Sequence, residues 1–166
     1  MIKKGKSRHT SYTKMRSQLE DRVRLDLEER KIAYEYESIK LEYVKDTCPK
    51  CGHLLRKGRY TPDFIIERSS GIRLVVEVKG RFTSSDRTKM QRVKRDNPKE
   101  DIRFVFQRDQ PLRKGSTTRY SEWSERNGFP WAIGVIPDEW IKESKKATLD
   151  RLEILPKSSA KKGKSK

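Results

Sequence analysis

The 166 residues carry 41 Lys and Arg against 24 Asp and Glu, a formal net charge of +17 with a pI near 10.0. With 32% hydrophobic residues and a mean hydropathy of −1.02, there is apolar material for one small core but no 18-residue apolar run, which excludes a membrane-spanning helix. Residues 1–14 are basic and polar with no apolar stretch behind them, so the chain reads as cytoplasmic with reduced thiols, and the excess charge points to nucleic acid as its partner.

Residues 1–16 hold Lys3, Lys4, Lys6, Arg8, Lys14 and Arg16 and no acid, and residues 157–166 hold Lys157, Lys161, Lys162, Lys164 and Lys166. Both ends lack large apolar side chains, so neither buries enough surface to offset its ordering entropy. The expected organisation is a basic arm over 1–16, one folded domain over 17–146 and a basic tail over 147–166. Basic arms beside a basic domain track phosphates, so Lys3, Lys4, Lys6, Arg8 and Arg16 are candidate DNA contacts.

Within the domain, Leu19, Val23 and Leu27 recur at helical spacing and predict a helix over 17–30. Ile32, Tyr34 and Tyr36 alternate with Glu35 and Glu37, a strand's period of two over 32–39. Residues 41–59 read as an irregular linker or bridge. Two strands follow, over 60–67 and 72–79, joined by Arg68-Ser69-Ser70-Gly71 as a hairpin. A basic helix over 83–97, with Ser84 or Ser85 as its cap, packs Met90 and Val93 and stops before Pro98. A strand over 102–106, a short helix over 121–127 ended by Gly128, a strand over 131–136 and a last turn at 138–141 complete the domain.

The chemically informative feature is Pro62-Asp63, thirteen residues, then Glu77-Val78-Lys79. On a strand Glu77 and Lys79 share a face, the Val78 carbonyl lies between them along one edge, and the hairpin brings Asp63 alongside. Two carboxylates and a carbonyl are hard oxygen donors of the kind Mg²⁺ or Mn²⁺ prefers, and the adjacent ammonium can hold an attacking water or the charge developing on phosphorus. Such a set suits phosphodiester hydrolysis. An E-x-K triplet alone is common on solvated faces; here it follows the apolar Leu74-Val75-Val76 and precedes a basic helix. Ser17 and Glu20 have capping-box spacing, which accounts for that glutamate structurally without a metal, but a first-turn carboxylate is also favourably placed at a helix N-terminus, so the two roles need not exclude each other. Arg81, Arg87, Lys89, Arg92, Lys94 and Arg95 are further candidate phosphate contacts.

Taken together, Arg16-Ser17-Gln18-Leu19-Glu20-Asp21, Tyr60-Thr61-Pro62-Asp63-Phe64, Glu77-Val78-Lys79-Gly80, Ser85-Asp86-Arg87, Lys114-Gly115-Ser116 and the run from Ile136 to Glu143 resemble the phage endonuclease I family, the T7-type Holliday-junction resolvases. The resemblance runs in order over most of 16–146. It implies an α/β fold of the PD-(D/E)xK restriction-endonuclease-like class, a mixed sheet flanked by helices, in an intertwined, domain-swapped homodimer. It also implies Mg²⁺-dependent cutting of branched double-stranded DNA. Position by position, Asp63 and Glu77 would be metal ligands, Lys79 would stand beside the attacking water, and Glu20, supplied by the partner subunit, would complete the site. Two rivals are a sequence-preferring homing or recombination endonuclease with the same metal site, and a non-catalytic basic DNA-binding protein.

The chain departs from the family in the segment before Tyr60, which is longer and contains Cys48-Pro49-Lys50-Cys51-Gly52. C-x-x-C with Pro and Gly is half of a zinc-ribbon site, and two thiolates cannot close a tetrahedral Zn²⁺ site alone. A twofold dimer could supply the other pair. The alternatives are His53 as third ligand, a redox pair, or two thiols without a role.

Overall fold

The computed structural model describes residues 17–143, so the basic arm, with Lys3, Lys4, Lys6, Arg8 and Arg16, and the whole of the expected tail lie outside the described residues. Helix α1 (Gln18–Glu29) opens where Ser17 accepts the Glu20 N–H, and it buries Leu19, Val23 and Leu27, the stripe its spacing predicts. The chain then leaves the helix through Lys31, at φ 56°, and the strand expected over 32–39 shrinks to β1 (Glu35–Tyr36). Glu37, at φ 47°, breaks the alternation, and β1 pairs only with Phe64 and Ile65.

Residues 41–59 are not irregular. They form most of an antiparallel hairpin, β2 (Leu41–Thr47) and β3 (Leu54–Tyr60), with Cys48 to His53 as its turn. Leu41, Tyr43 and Tyr60 anchor its base in the core, whereas the outer half is exposed and so lacks the apolar alternation that announces a strand. The strand expected over 60–67 is therefore two: Tyr60 ends β3, and β4 (Phe64–Glu67) begins after Pro62, which lacks the N–H a ladder needs. The outer edge of β2 is closed by the end of α2 (Ser84–Asp96): Asp96 accepts the Val44 N–H at 2.6 Å, and the Asn97 amide donates to the Glu42 carbonyl at 2.9 Å.

β5 (Arg73–Lys79) pairs antiparallel with β4 and parallel with β6 (Asp101–Phe106), and β7 (Trp131–Ile133) pairs parallel with β6, giving a five-stranded mixed sheet in the order β1-β4-β5-β6-β7. The left-handed Gly134, at φ 78°, stops β7 short of the expected 136. The cap of α2 is Thr83, whose hydroxyl accepts the Asp86 N–H while Asp86 takes the Thr83 N–H, a reciprocal pair that Ser84 and Ser85 do not make.

Successive β5 residues serve opposite layers. Leu74, Val76 and Val78 face α1 and α4 (Asp138–Lys142), while Val75 joins the hairpin base, α2 and α3 (Tyr120–Arg126) through Phe82, Met90, Val93 and Tyr120. At the end of the sheet where β5 begins, Arg68, Asp101, Arg103 and Glu143 form a buried ion cluster, with Arg103 stacked 5.1 Å over Trp140. Among the described residues no helix is long and apolar enough to cross a membrane.

Gly58 sits opposite Tyr43 in the hairpin, and a Cβ there would overlap the tyrosine ring. Gly58→Ala is expected to lower stability in urea unfolding by about 1–3 kcal/mol. In the same measurement, adding Tyr43→Ala should cost less in that background than in the wild type, because the overlap has gone.

Candidate active site

Alternation along β5 turns Glu77 and Lys79 toward the hairpin and α2. Glu77 is only 3% exposed, and a carboxylate so buried needs partners. Tyr60, at the end of β3, donates its hydroxyl to Oε2 at 2.6 Å, and Lys79 Nζ stands 2.7 Å from Oε1. Burial and the Glu77 charge push the Tyr60 phenol far above its ordinary value, so it stays a donor. Burial works against the charge on Lys79, yet Glu77, Asp63 and Asp86 together raise its pKa. Asp86 Oδ1 lies 4.0 Å from Nζ, so the capping residue of α2 also steadies the lysine.

Asp63 stands just before β4, and its Oδ2 accepts the Val78 N–H at 2.7 Å. The Lys79 carbonyl faces β6, where it accepts the Gln107 N–H at 3.0 Å, so alternation turns the Val78 carbonyl toward β4. Extending the Phe64↔Val76 register by two residues sets Pro62 opposite Val78. Proline has no N–H to donate, so the ladder leaves that carbonyl without its usual donor, beside Asp63.

Glu20 approaches the same end of the sheet from α1 of the same chain. Ser17 Oγ donates to its Oε1 at 2.8 Å, and the Tyr36 hydroxyl donates to Oε2 at 2.7 Å. Glu20 therefore belongs to the helix cap and to the acidic cluster at once, and its charge is felt by Asp63. Burial, then the Glu77 charge, drives the Asp63 carboxyl from 3.8 up to about 7, against the lowering effects of the Val78 N–H and Lys79. An acidic site crowded to this degree gains from a cation. Among the described residues no three Asp, Glu, His or Cys side chains converge as a complete ligand group. Two carboxylates with a carbonyl fit Mg²⁺, which keeps several of its waters, better than an ion that demands an all-protein cage.

Tyr36, Tyr60 and Asp86 are the partners that residue chemistry alone did not single out; only the position of Tyr60 two residues before Pro62-Asp63 hinted at one of them. Of the candidate DNA contacts, Arg81 and Arg95 are exposed and Lys89 and Arg92 are half-buried. Arg87 donates to the Phe82 carbonyl, and Arg95 pairs with Asp96. Lys94 is turned inward: it donates to the Asn127 and Gly128 carbonyls at the end of α3 and lies 4.0 Å over the Phe129 ring, and burial draws its pKa to about 8. Cys48 and Cys51 lie at the hairpin tip, where backbone N–H groups of Cys51 and Lys50 hold the Cys48 thiol below its ordinary value.

A sequence model of the family described as Phage endonuclease I matches residues 1–162. The chain is 41% identical over 140 residues to Endonuclease I of Escherichia phage T7, covering 83% of this chain and 86% of that protein. It is 38% identical over 141 residues to Endodeoxyribonuclease 1 of Enterobacteria phage T3, covering 84% and 85%.

An acid with a raised folded-state pKa holds its proton in the folded protein but not in the unfolded one between 3.8 and about 7, so the metal-free protein loses stability as pH rises through that window. Asp63→Asn removes this loss. Thermal unfolding in EDTA should find the variant matched to the wild type at low pH and more stable by about 1–2 kcal/mol above neutrality.

Proposed function

The chain belongs to the phage endonuclease I family, and from that membership we propose that it is a Mg²⁺- or Mn²⁺-dependent endodeoxyribonuclease of the PD-(D/E)xK fold, which resolves four-way Holliday junctions and other branched DNA as a homodimer. Its relatives are named as an endonuclease and an endodeoxyribonuclease, which supports DNA as substrate. The observation that carries the reading is the meeting of Asp63, Glu77 and Lys79 at the end of β5.

Asp63, Glu77 and the Val78 carbonyl would hold the metal, whose chemistry there is Lewis acidity toward the scissile phosphate and acidification of water. Lys79 sets a positive charge beside Glu77, where it can orient an attacking water and offset charge developing on phosphorus. Tyr60 fixes Glu77, Asp86 steadies Lys79, and the Glu20 charge acts on Asp63 from α1. Water's oxygen bonds to phosphorus, the P–O3′ bond breaks, and the products carry a 5′ phosphate and a 3′ hydroxyl.

The composite-site reading is compatible with one chain supplying Glu20 to its own site. Exchange of residues 17–40 between two copies would remake the same contacts in trans, with the partner's Glu20 in the site. Arg81, Arg87, Lys89 and Arg92, on and just before α2, are the proposed phosphate contacts, together with the basic arm. Such backbone contacts carry little sequence information, so branch geometry selects the substrate.

A synthetic four-way junction should be cut in Mg²⁺ while linear duplex of the same sequence is spared. Asp63→Asn or Glu77→Gln should reduce cutting at least about a hundredfold and leave junction binding in gel shifts within a few-fold. Loss of binding together with cutting would overturn the roles assigned. Cutting of linear duplex at a preferred sequence would favour a sequence-selective enzyme, and no cutting in any metal a DNA-binding protein. Junction affinity should also fall steeply with salt, log Kd tracking log salt concentration.

A further inference from the structure

The turn between β2 and β3 is Cys48-Pro49-Lys50-Cys51-Gly52-His53, at the opposite end of the hairpin from Tyr60. Two backbone bonds close it: the Cys48 N–H donates to the His53 carbonyl at 2.8 Å, and the Gly52 N–H donates to the Cys48 carbonyl at 2.9 Å. Gly52 is left-handed, at φ 72°, with nothing within 4 Å of the place a Cβ would occupy, so it is backbone conformation that calls for glycine here. Cys48 and Cys51 thus sit three residues apart on one closed turn, Cys48 half-buried and Cys51 exposed. Both thiols are free.

Two free cysteines held on a glycine-closed turn are set to share a ligand rather than to pack. Neither cysteine belongs to the core, and Cys51 is exposed. Thiolate pairs of C-x-x-C spacing bind Zn²⁺, which takes four ligands in tetrahedral array. Among the described residues no third His, Cys, Asp or Glu joins the two sulfurs, His53 included. Each tip therefore presents half a site, with Leu54 and Leu55 beside it at 40% and 62% exposure. A twofold axis through the metal would supply an identical half, and would bring the two pairs of leucines together as the ion is bound.

We infer that Cys48 and Cys51 from two copies of this chain form one Cys₄ zinc site that clamps two hairpin tips together. The site is structural, since all four positions are closed by sulfur, and thiol protons are released to solvent as the ion binds. It stands apart from the acidic site, so it does not depend on the nuclease reading.

The full-length protein, purified without chelator, should contain one zinc ion per two chains by plasma mass spectrometry, and zinc-edge absorption should give four sulfur neighbours at about 2.3 Å. Cys48→Ser and Cys51→Ser should each abolish bound zinc, with circular dichroism reporting whether the fold survives. If either variant fails to fold, Co²⁺ substitution of the wild-type protein provides the thiolate-to-metal absorption that four sulfurs require. Glu77→Gln should keep its zinc while losing cutting, which separates this inference from the nuclease assignment. One zinc per chain, nitrogen neighbours in the absorption spectrum, absence of zinc, or a Cys48–Cys51 disulfide would each overturn it.

Discussion

Burying the Glu77 carboxylate is the constraint on which the arrangement of the site depends. A charge that is 3% exposed at the end of the central strand survives only if its oxygens are met, and the two partners come from different parts of the chain. Tyr60 reaches Glu77 from the last residue of the hairpin, and Lys79 reaches it from the same strand. The tyrosine fixes the base of the hairpin over β5, while Asp86 couples the lysine to the start of α2. One carboxylate thus holds together a hairpin, a central strand and a helix cap, so the geometry of the acidic site and the packing of that layer are a single problem.

The two ends of the sheet treat acids in opposite ways. Where β6 begins, Asp101 is gripped by Arg68 and Arg103; burial alone would raise its pKa, but the hydrogen bonds and charges of the two arginines bring it below its ordinary value. Where β5 ends, Asp63 is buried among other acids and has only a backbone N–H and a lysine shared with Glu77, so its pKa moves upward. The first end is neutralised within the protein and serves cohesion. The second is left short of positive charge, which is the condition that makes a bound cation favourable.

The core elements were legible in the residues because their apolar spacing is strong: the stripe Leu19, Val23, Leu27 of α1, the run Leu74-Val75-Val76 of β5, and Met90 with Val93 in α2 all lie where their periodicity sets them. The pairing of Asp63 with β5 was legible too, since a hairpin across Arg68 to Gly71 leaves little freedom in register. The β2–β3 hairpin was not. Its outer half sets the adjacent Leu54 and Leu55, one on each face, among polar residues, so period-two alternation is lost, and its register is held by Gly58 under the Tyr43 ring and by cross-strand ion pairs such as Arg56 with Asp46. Tyr36 was equally hidden, because a hydroxyl that meets its partner only through tertiary folding leaves no spacing signal; Asp86 has capping spacing from Thr83, but its approach to Lys79 arises only in the fold. Lys94 looked like one more cation on a basic helix, yet it is bound to two carbonyls at the end of α3.

The hairpin has one further consequence, for how copies of the chain can meet side by side. The outward groups of β2 are occupied by the end of α2, but among the described residues no strand pairs with the far side of β3. An open edge of this kind is a template for strand addition and hence for aggregation. Here it carries Arg56, Lys57 and Arg59, so a second β3 laid alongside would bring a cluster of cations against its own likeness. The edge that folding leaves unpaired is thereby guarded against open-ended fibre growth, and the guard leaves the leucine-flanked tip, where Lys50 is the one charged residue of 48–53, as the easier direction of approach.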